Sequence, residues 1–200
     1  MSESAEPFVV DLEAATHALV VAHAAALTAL ERLEDSPAGD LHMALFRAPA
    51  DSEAIPPDPQ DAPAVLDFME GLLIADRGSA GTSARVDALG FSKKEVTRLK
   101  AFECVRTGVD AYAAILTRQK FDGATRSYGS HLFKQIEPDG SHVSLIAAAS
   151  GWRGDQDYLA VMMVPATLHA VLLEFGRLPK DLIVSSAFVL ENGAWEYPAT

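Results

Sequence analysis

Apolar residues near the start of the chain recur with a helical period. From Asp11 to about Asp35, Leu12, Leu19, Ala26 and Leu33 repeat every seventh residue, and Thr16, His23 and Leu30 fill the alternate seam. Val20, Val21 and Leu27 lie off that seam, so this helix is apolar nearly all round. Such a helix sits in a core or packs against a second chain. Ser36-Pro-Ala-Gly39 ends it, and Leu41 to Phe46 reads as a short strand. Asp61 caps a second helix with Pro63 in its first turn, running to about Asp76. A short helix over Ser83–Leu89 leads through Gly90-Phe91 into a third. That helix opens on a Ser92/Glu95 capping box, carries Val96, Leu99, Phe102, Val105, Val109, Tyr112 and Leu116 inward, and runs to about residue 120.

After Phe121 the period changes to two. Leu132, Lys134 and Ile136 alternate with Phe133, Gln135 and Glu137, and Asp139-Gly140 predicts a two-residue hairpin turn. That turn sets Ile136 opposite Val143 and Phe133 opposite Ile146. Tyr158–Val164 reads as a further strand, and Pro165 as the start of a helix ending at Gly176. Residues 182–191 and 194–197 form a second hairpin about Asn192-Gly193, with Phe188, Leu190, Trp195 and Tyr197 on one face. The expected fold is α+β. A mainly helical region, 1–120, precedes a mostly antiparallel sheet of about five strands with one covering helix, 121–200. Two domains and one integrated domain are both compatible with this order. The Pro-rich, acidic stretch 48–63 reads as a loop or linker.

Charge changes the picture at one place. The net charge is -12, yet residues 1–76 carry -13, residues 77–120 carry +5 and residues 121–200 carry -4. Overall acidity opposes non-specific binding to nucleic acid or an anionic membrane, so nucleic acid is a partner only through the basic 85–106 segment. The run Val86-Asp-Ala-Leu-Gly-Phe-Ser-Lys-Lys-Glu-Val-Thr-Arg-Leu99 resembles a generic helix-turn-helix, with Gly90 at the turn. In that arrangement Lys93, Lys94, Thr97 and Arg98 face outward toward phosphates and base edges. An ordinary helical corner with a solvated basic face explains the same residues. The uncharged stretch 14–30 is short for a bilayer and follows acids, the opposite of a signal peptide, so a membrane role is not expected.

Catalytic patterns are absent: there is no GxSxG elbow, no P-loop and no HExxH. Glu13 and His17 stand four apart on one helix face, but no full metal-ligand set accompanies them, so no metal or cofactor is expected. Cys104, the single cysteine, fits a packed thiol in a reducing cytoplasm. Two polar loops, 125–131 and 151–157, fall at one end of a meander. They offer Arg126, Tyr128, His131, Trp152 and Arg153, a mixture suited to an anion-tolerant ligand cleft. The leading expectation is a non-catalytic cytoplasmic binding or regulatory protein that works through a protein partner or self-association. A DNA-binding regulator with a ligand-sensing C-terminal part is the alternative. A small-molecule enzyme using the two loops is a third.

Overall fold

The computed structural model describes residues 11–32, 40–49, 55–79, 86–110, 129–136, 142–151, 154–178, 189–191 and 194–196. The described elements run α1 (Leu12–Leu30), β1 (His42–Arg47), α2 (Ala62–Leu72), β2 (Leu73–Gly78), α3 (Lys93–Thr107), β3 (Ser130–Ile136), β4 (His142–Ser150), α4 (Gly154–Glu174), β5 (Val189–Glu191) and β6 (Ala194–Glu196). The fold is α+β. Four strands form one antiparallel sheet in the order β2-β1-β4-β3, and β5 pairs with β6 in a separate hairpin. The main sheet therefore has four strands rather than about five. It takes two of them from the region expected to be mainly helical.

Period-two alternation divides the core between the two faces of this sheet. Met43, Leu45, Ala75, Phe133, Leu145, Ala147 and Ala149 point to one face and meet the buried sides of α1 and α4. Ala44, Phe46, Ile146 and Ala148 point to the other and meet α2 and α3. Helices thus cover both faces, where a single covering helix was expected. The alanine run in β4 has little side-chain bulk on either side, which lets the helices of both layers close on the central strands.

Local signals explain most element starts. The Asp11 carboxylate accepts from Ala14 N at 3.0 Å, and Asp61 accepts from Ala64 N at 3.1 Å. The capping box of α3 is complete: Ser92 Oγ accepts from Glu95 N at 3.3 Å, and Glu95 Oε2 accepts from Ser92 N at 2.7 Å. The Arg177 guanidinium donates to Asp11 at 2.7 Å, and the His17 and Phe175 rings lie 5.7 Å apart. The start of α1 is therefore fastened to the end of α4, and the two helices run antiparallel.

Five expectations are corrected. Helix α2 stops at Leu72, and Leu73–Gly78 is strand β2, because Leu73 turns to extended backbone and pairs with Phe46. Helix α3 ends at Thr107, because Gly108 adopts the left-handed conformation at φ 65° and closes it. Residues 86–92 form a tight loop: Val86 bridges to Ser92, and Asp87 Oδ1 accepts from Leu89 N and Phe91 N. No helix occupies 86–89. Tyr158–Val164 is helical, within one continuous α4 that carries Pro165 inside it. Finally, β3 and β4 pair as Ile136↔His142 and Phe133↔Leu145, one residue away from the expected register. That slip moves Ile146 to the α3 side of the sheet while Phe133 stays on the α4 side. In the second hairpin Leu190 pairs with Trp195 as the two-residue turn requires; Phe188 and Tyr197 lie outside the described residues.

Candidate functional site

Helix α3 is the chemical centre of the molecule. It is strongly polar in composition, yet every residue from Val96 to Cys104 is buried. Thr97, Arg98, Lys100 and Cys104 are each held by a different part of the fold, while the buried Glu103 accepts from Arg106 one turn further along α3. Thr97 donates its hydroxyl to Lys93 O at 2.8 Å, leaving the oxygen to accept from His42 Nδ1 of β1 at 3.2 Å. Arg98 Nε donates to Glu70 of α2 at 2.7 Å, and its Nη2 lies 3.5 Å from Asp76 of β2. Lys100 Nζ donates to Asp157 of α4 at 2.6 Å and to Ala149 O of β4 at 2.9 Å. Cys104 Sγ donates to Ser130 Oγ of β3 at 3.4 Å.

Two residues past the Gly108 cap, the buried Asp110 reaches the side of β3. Its Oδ2 accepts from His131 Nδ1 at 2.6 Å and from Leu132 N at 3.2 Å, and its Oδ1 accepts from the Tyr158 hydroxyl of α4 at 3.1 Å. These three contacts join α4, β3 and the segment after α3 at one buried carboxylate. The His131 ring stacks on Phe133 at 5.7 Å and meets the Tyr158 ring edge-on at 6.2 Å. His131 is 1% exposed, and among the described residues its Nε2 has no hydrogen-bond partner. Gly129, at φ 78°, borders this region: a Cβ there would stand 2.7 Å from Ala149 O and 3.2 Å from Lys100 Nζ.

A second polar group lies at the opposite end of α3. His42 Nε2 is 3.6 Å from Asp76 Oδ2, too far for a hydrogen bond. Burial is the main cause that drives the His42 pKa down, to about 4; Asp76 opposes the shift, and the nearby cations Arg98 and Lys94 assist it. His42 is therefore neutral at pH 7. Burial also lowers His23, whose Nε2–H donates to Leu41 O at 3.1 Å.

The structure places the sequence-derived candidates unevenly. His131 is at the heart of the buried site, while Arg126, Tyr128, Trp152 and Arg153 lie outside the described residues. Of the basic set, Lys94 is half-exposed and Lys93 partly exposed, but Thr97 and Arg98 are interior. They hold α3 against its neighbours and do not form an outward basic face. Gly129 and Asp157 lie in the two polar loops singled out in the sequence, 125–131 and 151–157, whereas Asp110, Tyr158 and Lys100 escaped sequence analysis.

The outer side of α1 is chemically simpler. Val20 and Val21 are 40% and 41% exposed, and with Ala24, Ala25, Thr28, Ala29 and Arg32 they line an open groove of about 650 Å³. Helix α1, and α4 likewise, is long and apolar enough to cross a bilayer; here each lays one side on the sheet. Among the described residues no cluster of three or more His, Cys, Asp or Glu side chains could hold a metal ion.

No protein-family model and no curated protein matches this chain. Two solved structures are similar in shape. One is the crystal structure of a PduOC–heme complex, 12% identical, with a TM-score of 0.46, covering 80% of this chain and 95% of that one. The other is the Klebsiella pneumoniae protein ORFY of DUF336, 10% identical, with a TM-score of 0.48, covering 85% and 97%.

Proposed function

We propose that this chain is a non-catalytic binding protein that acts by protein–protein contact, with a second copy or another protein, through the outer side of α1. The observation that carries this reading is the open apolar groove along Val20, Val21, Ala24 and Ala25. Leu12 extends the same helix's exposed apolar surface, and α4 adds exposed Leu159 and Met162. Contiguous apolar surface is uncommon on a free monomer and marks contact sites. The side chains facing the groove carry a single charge, at Arg32, so recognition there is by shape and apolar burial. The buried, reduced Cys104 suits a reducing compartment such as the cytoplasm.

Light scattering on the purified chain, and affinity capture from its host, test this reading together. The wild type is expected to self-associate or to retain a partner. Val20→Lys with Val21→Glu is expected to abolish that association without changing the far-ultraviolet circular dichroism. A wild type that stays monomeric and captures nothing the double variant fails to capture would refute the proposal.

A further inference from the structure

Bulk is distributed unevenly along the groove on α1. Val20 and Val21 come first, and Ala24 and Ala25 follow one turn later. The charges are divided too. Glu13 is exposed in the first turn of the helix, and Arg32, just past its end, lines the groove with Glu31 exposed beside it. Consider an antiparallel copy of α1 laid on this face, with a two-fold axis level with the midpoint between Ala22 and His23. Val20 then stands level with the partner's Ala25, and Val21 with the partner's Ala24. Glu13 stands level with the partner's Arg32, and the same matches recur on the far side of the axis. Large thus meets small at both central levels, which lets two helices interdigitate. A parallel copy would set valine on valine, alanine on alanine and Arg32 on Arg32. The face is complementary to itself in one direction only, and that direction also opposes the two helix dipoles.

We propose that, on the reading of this groove as a protein-contact site, its occupant is a second copy of the chain packed antiparallel along α1. Such an interface is isologous: each copy offers the other the same surface, and the assembly closes as a dimer.

Cross-linking on the full chain tests the direction. Positions 13 and 32 lie about 28 Å apart along one helix, but share an end in the antiparallel dimer. Chains carrying Glu13→Cys or Arg32→Cys are treated with a bismaleimide linker far shorter than that span. The buried Cys104 makes the unsubstituted chain the control. A mixture of the two variants should yield a dimer with one chain of each kind, and each variant alone should yield none above the control. The volumes are tested by exchange. Val21→Ala and Ala24→Val should each weaken dimerisation about tenfold by sedimentation, because each change acts twice across the axis. The chain carrying both should return to within about threefold of wild type, as coupled neighbours do. Cross-linking of either cysteine variant with itself, or additive losses in the exchanged chain, would overturn the proposal. A wild type that stays monomeric yet retains a different protein through Val20 and Val21 would also overturn it, while leaving the contact reading intact. A wild type that stays monomeric and retains nothing would overturn both.

Discussion

Replacing Lys100 by methionine keeps the length of the side chain and removes its charge, taking the lysine away from the buried Asp157 carboxylate. The two groups are 2.6 Å apart, with side chains only 8% and 2% exposed. At an effective dielectric constant of about 20 their attraction is on the order of 6 kcal/mol. Several kcal/mol of desolvation per ion offset most of that, so the intact pair contributes little net stability. Breaking it is a different matter. The buried carboxylate keeps its desolvation cost, and Ala149 O also loses a donor. Lys100→Met should therefore destabilise by about 3–5 kcal/mol. Lys100→Met with Asp157→Leu should recover most of this, returning to within about 1–2 kcal/mol of wild type. Asp157 lies in the first turn of α4, where a carboxylate is favoured by about 0.5 kcal/mol, so recovery should fall slightly short. Urea denaturation of the wild type, both single variants and the double variant at fixed protein concentration closes the cycle. Additive single effects, or a Lys100→Met cost below about 1 kcal/mol, would refute the buried-pair account.

Acid should weaken the fold through its histidines. His42 has a folded pKa of about 4, below the unfolded value of 6.5, so between these values the unfolded chain binds the extra proton. Its contribution is complete above pH 6.5 and is lost as pH falls toward 4, at most about 3 kcal/mol in all. His23 and His169 are shifted in the same direction by burial and steepen the same limb. His42→Gln should flatten stability against pH in that window, and an unchanged slope in chemical denaturation would count against it. Two glycines make a contrasting pair. A Cβ at Gly151 would collide with the Asp40 carbonyl oxygen, so Gly151→Ala should cost about 3 kcal/mol or more, read as a large fall in Tm. A Cβ at Gly71, near the end of α2, meets nothing within 4 Å, so Gly71→Ala should raise stability by about 0.4–1 kcal/mol.

Local chemistry was legible wherever one residue decides. Asp11, Asp61 and the Ser92/Glu95 box mark helix starts because a short polar side chain reaches a free amide in its own first turn. Leu190 and Trp195 pair because a two-residue turn leaves one register. Elements decided by tertiary context were not legible. Leu72-Leu-Ile-Ala75 is apolar through a helix end and a strand start, with no loop to mark the change. Tyr158–Val164 is a short apolar run in which helix and strand look alike. Its helical identity shows only over Ala160, Val161, Val164, Leu168, Val171 and Leu172, which pass through Pro165. A proline inside a helix forfeits one backbone bond, and burial of the helix on both sides of Pro165 outweighs that loss. The polar interior of α3 was invisible for a related reason. Thr97 and Arg98 read as solvated because their partners, His42, Glu70 and Asp76, come from elements distant in sequence. Likewise, His131 carried a polar-loop signal, but nothing local linked it to Asp110.

The way α3 is held constrains how this chain can diverge. Arg98, Lys100 and Asp110 each answer to a residue on another element, namely Glu70, Asp157 and His131. Losing one member leaves its partner's charge or lone pair in the interior, so a lineage cannot drift through these positions one step at a time. Change must arrive in compensating pairs, or by wholesale exchange of a pair for apolar residues. The exposed side of α1 carries no such obligation and can vary singly with whatever it meets. Across descendants of this sequence, the polar positions of α3 should therefore change rarely and together with distant partners, while Val20, Val21 and their neighbours change with the surface they meet.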